Sequence, residues 1–116
     1  MPSVATVLLS DPDERTRVLL KALLEALGHR VVQEDGLERV AAAVIEPASP
    51  AAMRMVQRLR TRGDVPVVCV SSRRRGAAAL RLDPVAYIAK PVPVGTFIRA
   101  VAAAVDESAR VAVAAA

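Results

Sequence analysis

The chain of 116 residues is 53% hydrophobic and 24% charged, which sets the scale of a single domain with a packed core and excludes a disordered chain. No apolar run approaches the ~18–20 residues of a membrane span, the opening Met1-Pro2-Ser3 lacks the basic and apolar regions of an export signal, and the lone Cys69 cannot close an internal disulfide; a cytoplasmic protein without membrane contact is expected. The net charge of +4 is concentrated: residues 1–46 carry −3, residues 47–82 carry +7, and residues 83–116 are neutral.

Val4 to Leu9 is a short, almost continuous apolar run, the pattern of a strand buried on both faces of a parallel sheet. Ser10 to Glu14 ends it with a helix-start signature: Asp11 as N-cap, Pro12 at the first helical position and Glu14 three residues after the cap. Leu20, Leu23, Leu24 and Leu27 then mark one helical face, Gly28 stops it, and His29 reads as a solvent-facing turn residue. Arg30 to Gln33 is a second short strand, closed by Glu34-Asp35-Gly36. Val40 to Ile45 suits a strand by its Val and Ile and a helix by its Ala, and stops at Glu46-Pro47. Ala51 to Arg62 has helical spacing at Met55, Val56 and Leu59, with Gly63 as its stop. Val65 to Val70 is the clearest strand, with Pro66 near its start, where a missing N–H is tolerated. The polar stretch Ser71 to Gly76 leads to at most a short helix over Ala77 to Leu82, and Asp83-Pro84 breaks it. A last strand covers Val85 to Ala89, and a helix runs from Phe97 to about Ser108 with Phe97, Ile98, Val101 and Val105 on its apolar side. Residues 1–108 read as the domain and 109–116 as a helical extension or tail.

Strands alternating with helical segments predict a parallel sheet with helices on both faces, where chemistry gathers beyond the carboxyl ends of the strands. Those ends hold Ser10 and Asp11, then Glu46, then Ser71 and Ser72, then Lys90-Pro91. The segments VLLSDPDE, LLEALGH, VPVVCVSS and AYIAKP, in that order, resemble the receiver domains of two-component response regulators. Ser71 lies five residues after Pro66 and Tyr87 three before Lys90, as in that family, and the resemblance covers Val4 to about Val105. It implies a flavodoxin-like, doubly wound parallel sheet of five strands in the order 2-1-3-4-5, in a signalling module that is not an enzyme. In the family an acidic pair after the first strand and an Asp after the third bind Mg²⁺, and that Asp accepts a phosphoryl group. The hydroxyl after the fourth strand and the lysine of a Lys-Pro pair contact the phosphoryl oxygens. By resemblance Asp11 is the second acid of the pair, Ser71 the hydroxyl, Lys90 the lysine, Pro91 its cis partner and Tyr87 the aromatic switch residue.

Two positions depart from this pattern. Ser10 stands where the first acid of the pair belongs, and Glu46 stands at the phosphoacceptor position, four residues before Pro50. One carboxylate fewer, and another longer by a methylene, weakens the near-octahedral oxygen cage that Mg²⁺ demands and misplaces the acceptor for in-line transfer. The resemblance therefore implies an atypical receiver acting without phosphorylation, its Mg²⁺ binding weak or lost; a weakly active phosphoacceptor is the remaining option. Glu46 either reaches Lys90 and Ser71 as a built-in mimic of the phosphorylated state or marks a decayed site. Asp11 is either a residual metal ligand or a helix cap, and Tyr87 either a switch or a packing residue.

Glu46 follows only ten positions after Gly36, so the helix between strands 2 and 3 is shortened or absent. An alternative alignment makes residues 37–45 the helix and loses the third strand. Shortening also falls after Glu46 and between Ser71 and Tyr87, always on the sheet face opposite the helices at 12–27 and 97–108. A parallel sheet does not leave a face in water, so a protein partner or homodimer contact through residues 36–82 is expected, with repacking or strand exchange as other ways to fill the gap. Arg54, Arg58, Arg60, Arg62, Arg73, Arg74 and Arg75 mark that face for an acidic partner. Nucleic acid, held by sequence-neutral phosphate contacts, is the less favoured alternative. No helix-turn-helix is evident, and Tyr87 and Phe97 are the only aromatics.

Overall fold

The computed structural model describes residues 4–34, 36 and 39–115; Met1-Pro2-Ser3, Asp35 and Ala116, discussed above, lie outside them. Five strands, β1 (Thr6–Ser10), β2 (Arg30–Val32), β3 (Ala42–Ile45), β4 (Val67–Ser71) and β5 (Ala86–Ala89), form one parallel sheet in the order β2-β1-β3-β4-β5. This is the expected 2-1-3-4-5 order. The helices are α1 (Glu14–Ala26), α2 (Pro50–Arg60), α3 (Ala77–Arg81) and α4 (Val94–Ala115).

The ambiguous segment before Glu46 is a strand. Ala42 to Ile45 pairs with β1 on one side and β4 on the other, and all four residues are buried, so tertiary pairing outweighs the helical preference of its alanines. That rules out the alignment with a helix over 37–45, and among the described residues no helix joins β2 to β3.

The α1 start differs from the sequence reading. Asp13, not Asp11, is the N-cap: its carboxylate accepts from the Thr16 N–H, and Arg17 N–H makes the first helical bond to Asp13 O at 2.9 Å. The helix ends as expected at Gly28, whose φ of +89° a side chain would strain. His29 N–H bonds to Leu24 O and Gly28 N–H to Glu25 O, which is a Schellman motif. His29 also departs from a solvent-facing role, because its Nδ1 accepts from the Ala5 N–H at 3.1 Å and so pins the entry of β1 to the end of α1.

One sheet face packs Val7, Leu9, Val44, Val68, Val70 and Ile88 against Leu20 and Leu24 of α1 and against α4. Phe97, Ala100, Val101, Ala104 and Val105 of α4 recur every three and four residues and form its buried stripe. This helix begins earlier than the expected Phe97, its first turn closed by the Phe97 N–H to Pro93 O bond, and it ends later than Ser108. Residues 109–115 are thus continuous with the domain's last helix.

The opposite face is closed within the chain. Ala52, Val56 and Leu59 of α2 pack over Leu8, Ala43, Ile45, Val67 and Cys69, with Val40 and Leu82 at the margins. These strand residues are essentially inaccessible, so repacking, not a partner, covers the face where the helices are cut back. The inference of a partner from an open sheet face is corrected accordingly. Cys69 lies in this core, where burial pushes its thiol up to about 11, well above its ordinary range. No helix among the described residues is long and apolar enough to cross a membrane.

Candidate functional site

Backbone ladders bring the four strand ends together. Glu46 N–H bonds to Ser10 O at 3.0 Å and Lys90 N–H to Ser71 O at 2.9 Å, so the residues just past β3 and β5 stand beside the last residues of β1 and β4. The Lys90-Pro91 peptide is cis, as the resemblance implied.

Around this edge the side chains form an ion triad. Lys90 Nζ lies 3.0 Å from Asp11 Oδ2 and 3.3 Å from Glu46 Oε2. Asp11 and Glu46 are each 5% exposed. Each uses its other oxygen on the backbone: Asp11 Oδ1 accepts from Asp13 N–H at 2.8 Å, and Glu46 Oε1 from Ala48 N–H at 3.0 Å. Asp11 Oδ2 has no donor aligned with it in hydrogen-bond geometry; its contact with Lys90 is an ion pair. Burial works against the Lys90 ammonium, but the adjacent carboxylates of Asp11 and then Glu46 outweigh it, and the pKa stays above its ordinary value. Arg17 Nη1 donates to Asp11 O at 2.9 Å and braces the turn that aims Asp11 inward.

The second cluster is the grip on Arg73. Ser71, 1% exposed, accepts from Arg73 N–H at 3.1 Å through its Oγ. Tyr87 donates from its hydroxyl to Arg73 O at 2.9 Å. Ser71 and Tyr87 therefore hold the same residue from two sides, and both line a crevice of about 160 Å³ with Pro47, Ala48, Arg73 and Arg74. Glu46 meets Lys90 as expected, but its second oxygen is taken by Ala48 N–H, and the Ser71 Oγ is engaged by Arg73, not Glu46. Sequence reasoning placed Ser71 and Tyr87 at the site; their shared hold on Arg73 depends on the loop's path and had no sequence signal.

The seven arginines do not form one free surface. Arg60 bends back to Val65 O at 3.4 Å and Arg62 Nη1 donates to Gly36 O at 2.7 Å, fastening the loop before β3. Arg54 and Arg58 flank a hollow with Glu34, whereas Arg73, Arg74 and Arg75 are exposed at the carboxyl edge of the sheet. Ser10 closes β1 without supplying a carboxylate. Among the described residues no group of three His, Cys, Asp or Glu side chains is placed to hold a metal ion.

No family model matches the sequence, and no curated protein matches it significantly. Solved structures do match. The signal receiver domain of a two-component histidine kinase from Clostridium thermocellum gives a TM-score of 0.71 at 21% identity, over 87% of this chain and 97% of that one. The signal receiver domain of a modulated diguanylate cyclase from Desulfovibrio desulfuricans gives 0.73 at 23% identity, over 91% and 97%. The receiver domain of a sensor histidine kinase from Pseudomonas aeruginosa, described with a magnesium ion coordinated in its active site cleft, gives 0.66 at 20% identity, over 84% and 93%. The chain has the fold of these receiver domains.

Proposed function

We propose that this chain is an atypical receiver module of two-component signalling that acts through protein contacts and without phosphorylation. The observation that carries this reading is the triad: Glu46, at the phosphoacceptor position, is buried and engaged by Lys90 at 3.3 Å and by Ala48 N–H at 3.0 Å. A carboxylate held on both oxygens is poorly placed as an in-line nucleophile. A charge-assisted contact of this kind contributes ~1.5–3 kcal/mol, enough to favour one arrangement of a two-state site by roughly ten- to a hundredfold. Glu46 thus occupies Lys90 in the way a phosphoryl oxygen does in the family, through one of the two contacts that a full mimic would make.

Mg²⁺ fits this donor set poorly. The ion needs near-octahedral oxygen coordination, and the two carboxylates present share an ammonium within 3.3 Å of both. Ser10 supplies a hydroxyl where the family has an acid. Weak or absent Mg²⁺ binding is therefore part of the proposal.

Incubation with Mg²⁺ and acetyl phosphate, followed by intact mass, tests the reading. The expected result is an unmodified chain. A phosphoryl adduct that disappears in Glu46→Gln overturns it and restores the weakly active phosphoacceptor.

A further inference from the structure

We propose that the crevice between the Pro47–Ala48 turn and the Arg73–Arg74 loop is a docking site for an acidic segment of a partner protein, one carboxylate entering the crevice and its neighbours meeting Arg73, Arg74 and Arg75. This rests on the phosphorylation-independent reading above and adds the chemistry of the partner. Residues 47–82 hold eight basic side chains and one acid, and that acid, Asp64, lies before β4, at the opposite edge of the sheet from the loop after it. Arg73, Arg74 and Arg75 are exposed in succession along the loop, and Arg73 and Arg74 line the opening. The Ser71 Oγ already accepts from Arg73 N–H, so its own hydrogen is left for an acceptor such as a carboxylate oxygen. Ser71 and Tyr87 fix the Arg73 backbone from both sides, which lowers the ordering cost of presenting the loop.

Size and shape select a polypeptide over nucleic acid. A crevice of about 160 Å³ admits one short acidic side chain and is smaller than the ~300 Å³ or more of a small-molecule pocket. The arginines stand on a loop with no helix aimed outward to enter a groove; of the two aromatics Phe97 is fully buried and Tyr87 is tied by its hydroxyl to Arg73 O, which leaves no run of aromatics on which successive bases could stack.

Fluorescence anisotropy with a labelled octaglutamate peptide at low salt, without Mg²⁺ or phosphodonor, tests the site. Saturable binding is expected. Replacing Arg73, Arg74 and Arg75 together by Ala should weaken it at least about tenfold, the scale of one lost charge-assisted contact. Replacing Arg15, Arg99 and Arg110, exposed on α1 and α4 over the other sheet face, removes the same charge and should leave affinity within about twofold. The charge-reversing Arg74→Glu should weaken binding without touching the core, and Ser71→Ala, at a buried position that also holds Arg73, should weaken it as well. Absence of saturable binding both before and after acetyl phosphate treatment, equal losses in the two triple variants, or tighter binding of a labelled DNA duplex overturns the proposal. Binding that appears only after acetyl phosphate treatment overturns the phosphorylation-independent reading and leaves the docking site standing.

Discussion

Lys90→Met removes the cation shared by Asp11 and Glu46 while keeping the bulk of the side chain. Both carboxylates are buried, and without Lys90 each retains one backbone N–H, from Asp13 and Ala48. Breaking a fully buried ion pair costs roughly 3–5 kcal/mol. The Lys90 side chain keeps 17% exposure, so water relieves part of the penalty and about 2–3 kcal/mol is the expected loss. Urea denaturation at pH 7 measures it. Adding Glu46→Gln to Lys90→Met removes the surplus negative charge and should recover about 1 kcal/mol, a coupling that a double-mutant cycle reads directly. The raised Lys90 pKa adds a pH signature. A lysine shifted upward on folding contributes stability that is fully present below its ordinary value of 10.5 and lost as pH rises through the higher folded value. Wild type should lose that increment at alkaline pH and Lys90→Met should not. A loss below about 0.5 kcal/mol, or strictly additive single variants, refutes the shared triad.

Leu8→Ala probes the face closed by α2: Leu8 is fully buried there, so about 2–5 kcal/mol should be lost in urea denaturation, and a near-neutral result would mean that α2 does not pack on the sheet. His29 supplies a second pH effect. Burial holds its imidazole below the ordinary 6.5, and Nδ1 must be unprotonated to accept from Ala5 N–H. Its contribution, on the order of 1 kcal/mol, is therefore present above 6.5 and lost as pH falls through the lower folded value. The stability slope between about pH 7 and 5 should flatten in His29→Phe; an unchanged slope assigns it to other groups.

What was legible in the sequence is what local pattern encodes. Val67 to Val70 is a continuous apolar run between Pro66 and the polar Ser71-Ser72, and burial on both faces leaves few other homes for it. The strand-end residues Asp11, Glu46, Ser71 and Lys90 could be collected because a parallel sheet puts every carboxyl end on one edge. What was not legible depends on distant partners. Asp11 and Asp13 flank Pro12 and both offer good cap chemistry; Lys90, far along the chain, draws Asp11 inward and leaves the cap to Asp13. The His29 acceptor bond reaches back 24 residues to Ala5 and has no local signature. Counting missing residues suggested an open sheet face, but coverage depends on side-chain volume, and the α2 stripe of Ala52, Val56 and Leu59 supplies enough of it.

The two departures at the site are separable by substitution. Glu46→Asp withdraws the carboxylate by one methylene, roughly 1.5 Å of reach, which takes it from 3.3 Å to beyond ion-pair distance of Lys90 and leaves that ammonium to Asp11 alone. The acceptor is then free, but the second acid is still missing, so Glu46→Asp alone should remain unmodified by acetyl phosphate. Ser10→Asp combined with Glu46→Asp places three carboxylates at the ends of β1 and β3, which with water molecules can complete an octahedral oxygen shell for Mg²⁺. This double variant should gain an Mg²⁺-dependent, hydroxylamine-sensitive adduct by intact mass. If it stays unmodified while folding normally, the proposed lack of phosphorylation does not rest on Ser10 and Glu46, and the grip of Ser71 and Tyr87 on Arg73 is the remaining structural obstacle. If Glu46→Asp alone is modified, Ser10 is not limiting, and the length of the acid at position 46 is the whole of the block.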